Sequence, residues 1–214
     1  MFNKTSLIVL TFLISGQVFA ATINVYTDRT AWETDLAGFA INTETFSNPI
    51  TAADVITLDN GIISTASPLG LMSTANSVAN GRYYAYTCSF PSCPGNPPTE
   101  YDWALPYPTY AIGADFFGVN RSAGVKIDID ALGYVGTAIG SAVGDDSPGA
   151  KDGFYGMISD TPFDNIDFRC ATNCGDGYFV DNFSISPVPV PAAFWLFGTA
   201  LIGFVGYSRR RKIG

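Results

Sequence analysis

At 214 residues, 47% of them hydrophobic, the chain is long enough for one domain with a substantial core. All 19 acidic residues lie between Asp28 and Asp181, where only six basic residues face them, and so acidic a middle repels phosphate backbones and excludes nucleic acid as a partner. There is no histidine, which removes the usual hydrolase triads, the common zinc sites and most general bases near neutral pH.

In chain order, Lys4, the apolar run Leu7 to Ile14 and the small residues closing on Ala20 form a secretory signal peptide over residues 1–20. The apolar run is too short to span a bilayer, and cleavage is expected after Ala20. Residues 21–186 follow as an exported domain. Gly, Thr, Ser, Asn and Asp punctuate short runs rich in Val, Ile, Phe and Tyr, the texture of an all-β protein.

Strands are expected at Ile23–Tyr26, Ile41–Phe46, Val55–Leu58, Ile62–Thr65, Tyr110–Phe117, Val125–Ile129, Gly133–Ile139, Phe154–Ile158, Asn165–Arg169 and Tyr178–Ile185. Alternation is clearest from Val125 to Asp130, where one face is apolar and the other charged. Strands this short and regular predict two packed antiparallel sheets, a β-sandwich. One short helix is expected at Thr30–Gly38, capped by Asp28 or Thr30.

Thr87 to Pro108 reads differently. It holds Cys88, Cys93, six prolines, Glu100, Tyr101, Trp103 and Tyr107, and prolines that dense predict a long loop rather than a central strand. The aromatics Tyr101, Trp103 and Tyr107 either stack on sugar rings or fold back over a sheet end. The four cysteines, Cys88, Cys93, Cys170 and Cys174, allow three pairings. Export favours disulfides over zinc, and the close spacings favour the local loops Cys88–Cys93 and Cys170–Cys174. Asp145 to Gly153 is an oxygen-rich turn without the spacing of an EF-hand.

The last segment, residues 187–214, has three parts. Ser186 to Pro191 alternates proline with valine as an extended spacer, and Ala192 to Tyr207 follows without a charge as a short transmembrane helix. Arg209, Arg210, Arg211 and Lys212 then act as a cytoplasmic stop-transfer signal. This order resembles the PEP-CTERM class of sorting signals, and Val188, Pro189, Val190, Pro191 and Ala192 look most like its VPLPA-type variant. Val190 stands where the family has glutamate or leucine. The resemblance covers about an eighth of the chain. It implies a Gram-negative bacterium that makes exopolysaccharide and an exosortase-type processing enzyme as partner. It also implies membrane anchorage, at least transient, before release to the cell surface or extracellular matrix.

The domain itself resembles the ectodomains that precede such signals, which are lectin-like or carbohydrate-binding jelly rolls. The resemblance rests on Phe39 to Phe46, Ala111 to Gly118, and Phe154 to Phe168 continuing to Val180–Ser184. It implies calcium as a structural ion, with Glu44 and Asp181 as ligands. The expected function is that of a non-enzymatic matrix protein binding glycan or calcium. The rival is a secreted hydrolase of polysaccharides, which needs two carboxylates across a cleft.

Overall fold

The computed structural model describes residues 21–67, 76–88, 100–120, 124–143, 150–171 and 175–187. Its strands are β1 (Ile23–Tyr26), β2 (Asn42–Glu44), β3 (Val55–Thr57), β4 (Ile63–Ser67), β5 (Ser77–Ala79) and β6 (Arg82–Cys88), then β7 (Glu100–Asn120), β8 (Val125–Ile129), β9 (Tyr134–Val135), β10 (Ala150–Cys170) and β11 (Gly175–Pro187). All pairings are antiparallel, along the path β5-β6-β11-β7-β10-β8-β9. β1 adds to β10, β2 to β11, and the β3–β4 hairpin to β7. The domain is all-β, as its alternating pattern predicts.

One continuous sheet makes a sandwich-like core because its two long strands change neighbours midway. Along Glu100–Ala104, β7 pairs with β4; along Thr109–Phe117 it pairs with β11 instead. Its other partner, β10, follows it through both halves, with register breaks between Ile158 and Asn165. The two halves then face each other across a shared interior. Trp103, from the β4 side, is fully buried and meets Phe183 at 4.8 Å, Tyr83 at 4.9 Å and Phe168 at 4.9 Å between ring centroids. Edge-to-face contacts of this kind add to the burial of large rings.

This architecture corrects the loop expected at Thr87 to Pro108: residues 100–108 belong to the central strand β7. Pro106 and Pro108 are tolerated because they sit where the ladder is broken. Ala104 pairs with Asn165 and Thr109 with Phe163, so the prolines have no β10 partner needing an N–H. Tyr101 and Trp103 consequently point into the core, both fully buried, and are not available to a sugar ring. Gly133–Ile139 is the other departure. Only Tyr134–Val135 is strand there, and Ile139–Ala142 forms a one-turn helix, α2.

The expected helix is present as α1 (Arg29–Asp35), with Asp28 as N-cap accepting from the Ala31 N–H at 2.7 Å. It docks on the outer face of β7 and β10 through Trp32, which packs with Leu36, Ala111 and Phe154. A cross-strand pair of glycines, Gly113 and Gly156, makes room for it. A Cβ at Gly156 would stand 2.8 Å from both Trp32 and Phe154.

No helix among the described residues is long and apolar enough to cross a membrane. The residues expected to do so, Ala192 to Tyr207, lie outside the described residues, as do the sorting motif Val188–Ala192 and the basic tail Arg209–Lys212.

Candidate functional site

Alternation along the strands gives each half of the sheet an outer face, and the two faces differ in chemistry. On the half built by β6, β11 and the second part of β7, a row of aromatic side chains crosses three strands. Tyr84 is directly opposite Phe179, and Phe179 is directly opposite Phe117. The Tyr84 and Phe179 rings are 5.0 Å apart, and Phe179 is 40% exposed although it is a large apolar side chain. Tyr86 continues this face on β6 opposite Gly177, where a Cβ would come within 3.3 Å of both Tyr84 and Tyr86. The missing side chain leaves the two tyrosines room to lie over the strand.

Polar groups flank the row. The Arg82 guanidinium lies over the Phe117 ring at 3.8 Å, a cation–π contact. Two residues along β11 and β7, Asp181 and Asp115 are directly opposed. Arg29 of α1 pairs with Asp115 at 3.1 Å and donates to the Asn182 carbonyl at 3.4 Å, with its guanidinium also 4.6 Å from the Phe154 ring. Asn182 adopts a left-handed φ of 49° and donates its side-chain N–H to Asp115 at 2.9 Å. Left-handed backbone at an asparagine beside a β-bulge aims a side chain that a regular strand would not. Burial and the neighbouring Tyr86 raise the Tyr84 phenol above its ordinary range, so it stays a neutral donor at physiological pH.

On the other half, the outer face of β4, β7, β10 and β8 is charged. Arg169 makes a two-armed contact with Asp130 at 2.9 Å on each side and also engages Glu100. Asp128 and Asp167 each lie 3.5 Å from the same guanidinium. Lys126 reaches Asp128 at 2.6 Å, and the Gly136 N–H donates to the other Asp128 oxygen at 2.9 Å. Hydrogen bonding to Arg169 holds the Asp130 carboxyl below its usual range and raises the guanidinium further. Asp102, Asp167 and Asp128 form one cross-strand row. Burial first, then the Asp102 carboxyl opposite, pushes Asp167 up to about 7.

The remaining residues singled out from the sequence fall as follows. Glu44 is buried and clamps a turn: one oxygen accepts from the Phe46 N–H at 2.8 Å, the other from the Asn60 N–H at 3.0 Å. Its strand is indeed the neighbour of the last one, with Glu44 opposite Phe183, but Asp181 turns its oxygen to the Asn182 N–H at 2.7 Å. No group of three or more metal-ligating side chains that could hold an ion occurs among the described residues. Tyr107 is half-buried, and its hydroxyl accepts from the Asn42 amide at 3.0 Å. Cys170 is disulfide-bonded. Cys88 ends β6 opposite Gly175 of β11, while Cys93 and Cys174 lie outside the described residues.

The chain matches no protein-family model, no curated protein and no solved structure. The site therefore rests on its own geometry. The aromatic row was missed in the sequence because β5 and β6 were not recognised there. Their signal is Asn80–Gly81, both with positive φ (54° and 73°), the dipeptide of a two-residue hairpin turn. Alternation from Arg82 to Tyr86 then places Tyr84 and Tyr86 on one face.

Proposed function

We propose that this chain is an exported, non-enzymatic bacterial surface or matrix protein that binds polysaccharide through the Tyr84–Phe179–Phe117 row. The observation that carries this reading is an aromatic row, with Phe179 exposed and Tyr84 and Phe117 half-buried beside it, flanked by an arginine, an asparagine and carboxylates. Sugar rings present apolar C–H faces and hydroxyl edges, so a receptor needs flat aromatic surface beside fixed donors and acceptors. Neighbouring strands lie about 4.8 Å apart, so three rings across three strands extend about 10 Å, enough for two adjoining sugar units.

Export and sorting by an exosortase-type enzyme, with membrane anchorage through residues 192–207, complete the proposal, and the support is the resemblance of the Val188–Lys212 segment to the PEP-CTERM class. The lectin-like jelly-roll assignment and the local disulfides Cys88–Cys93 and Cys170–Cys174 belong to the same reading. Calcium at Glu44 would have to displace two backbone N–H donors, so the aromatic row does not depend on it.

The hydrolase reading has one observation in its favour, the Asp102–Asp167 pair. Those carboxyls are directly opposed on adjacent strands in the middle of the sheet, whereas a glycosidase sets its two on either side of the bound sugar. Affinity electrophoresis of the full-length protein through gels containing bacterial exopolysaccharide tests the proposal. Retardation that Phe179→Ala abolishes is expected. Equal mobility of wild type and variant would overturn the site, and release of reducing ends from the polysaccharide would favour the hydrolase.

A further inference from the structure

The charged outer face is not used by the proposed binding site, and its central element has a consequence of its own. Asp102 of β7 and Asp167 of β10 are directly opposed in the sheet, and Asp128 of β8 is directly opposed to Asp167 on the other side. Three carboxylates in one cross-strand row are destabilising when all are ionised, because like charges directly opposite repel. We propose that a single proton held between Asp102 and Asp167 locks the seam between the two central strands, making the fold an alkali-sensitive device that is tight in acid and loosens as the proton leaves.

Every charged group facing the pair has been given a partner that leaves this proton in place. From β10, Arg169 stands 3.5 Å from Asp167, but its shorter contacts are to Glu100 of β7 and Asp130 beyond β8. From β8, Lys126 is taken by Asp128 at 2.6 Å. From β4, the residue opposite Asp102 is Thr65, which brings no charge. Asp167 is buried, so its ionised form also loses hydration. The folded-state value of about 7 lies above the ordinary 3.8. A raised carboxyl contributes stability that is complete below the unfolded value and lost as pH climbs through about 7.

The rest of the chain makes this response readable. It has no histidine and no free cysteine among the described residues. Burial raises the Tyr83, Tyr101, Tyr155 and Tyr178 phenols far above their usual value. Burial also raises the Asp176 carboxyl, which accepts from the Asn120 and Val125 N–H groups on β7 and β8; Asp102→Asn leaves that group untouched, so the variant separates its contribution from that of the Asp102–Asp167 pair.

Urea unfolding of the full-length protein in mild detergent, at pH 5 and pH 9, tests the proposal. The folding equilibrium constant of the wild type is expected to fall roughly tenfold or more between the two, a figure discounted for water on the outer face. Asp102→Asn, whose amide donates to the Asp167 carboxylate at every pH, is expected to lose most of that fall. Parallel curves for wild type and variant would overturn the proposal, as would a flat wild-type curve. Should Asp102→Asn not fold, carbon NMR of the aspartate carboxyls in the wild type decides: one carboxyl titrating near neutrality supports the lock, and all titrating below pH 5 overturns it.

Discussion

The two outer faces of this sheet share one strand, β7, yet one is aromatic and the other ionic. Strand β7 carries Glu100 and Asp102 outward before its proline break and Asp115 and Phe117 outward after it. What changes is the neighbour. Opposite Asp102 and Glu100, β10 supplies Asp167 and Arg169; opposite Phe117, β11 supplies Phe179 and, beyond it, β6 supplies Tyr84. The charged face satisfies itself, because each carboxylate is tied to Arg169, to Lys126 or to a backbone N–H, or stands opposite another carboxyl. The aromatic face keeps Phe179 open. Self-sufficiency marks structure and an unmet surface marks a candidate for recognition.

The comparison is broken most completely from beneath. Trp103 touches ring partners from both halves, so Trp103→Ala should cost about 3–5 kcal/mol in urea unfolding and disable both faces together. Arg169→Gln should act on one face only. It leaves Glu100, Asp128, Asp130 and Asp167 without their shared cation, and about 2 kcal/mol should be lost at pH 7. That loss should shrink below about pH 4, where carboxylates take up protons; a pH-independent loss would mean that packing, not charge, was removed. Gly156→Ala should cost about 1–3 kcal/mol by pushing Trp32 and Phe154 off the sheet. Near-ultraviolet circular dichroism should report the displaced indole, while the ionic face stays intact. Phe179→Ala should change stability by less than about 1 kcal/mol, since the side chain is already substantially exposed, yet weaken polysaccharide retention about tenfold. Retention unchanged by that substitution would remove the functional difference between the faces.

The ionic face was half legible in the sequence. Val125 to Asp130 alternates so plainly that Lys126, Asp128 and Asp130 could be put on one side, and Asn165 to Arg169 gave Asp167 and Arg169 in the same way. Their meeting with Glu100 and Asp102 was hidden because the neighbouring prolines made residues 87–108 read as a loop. A proline reports only that its own N–H is absent; whether that matters depends on which ladder positions are empty, and that is fixed by β10 and β4 from elsewhere in the chain. The aromatic row failed for a related reason. Tyr84, Phe117 and Phe179 are distant in sequence and meet only through the β6–β11–β7 order, a long-range pairing with no local trace. Trp103 and Tyr101 illustrate the converse error: aromatic content was visible, but the face on which each ring falls follows from strand phase.

The corner at which β7 changes partners also gathers both ends of the described domain. Thr22 exchanges hydrogen bonds with Asp160 there, and Pro187 is opposite Thr109. Phe117 lies eight positions further along β7, roughly 25 Å away at strand rise. Any anchor acting through the segment after Pro187 thus holds the domain by its heel, and the aromatic row is carried at the toe, facing whatever lies beyond the anchoring surface.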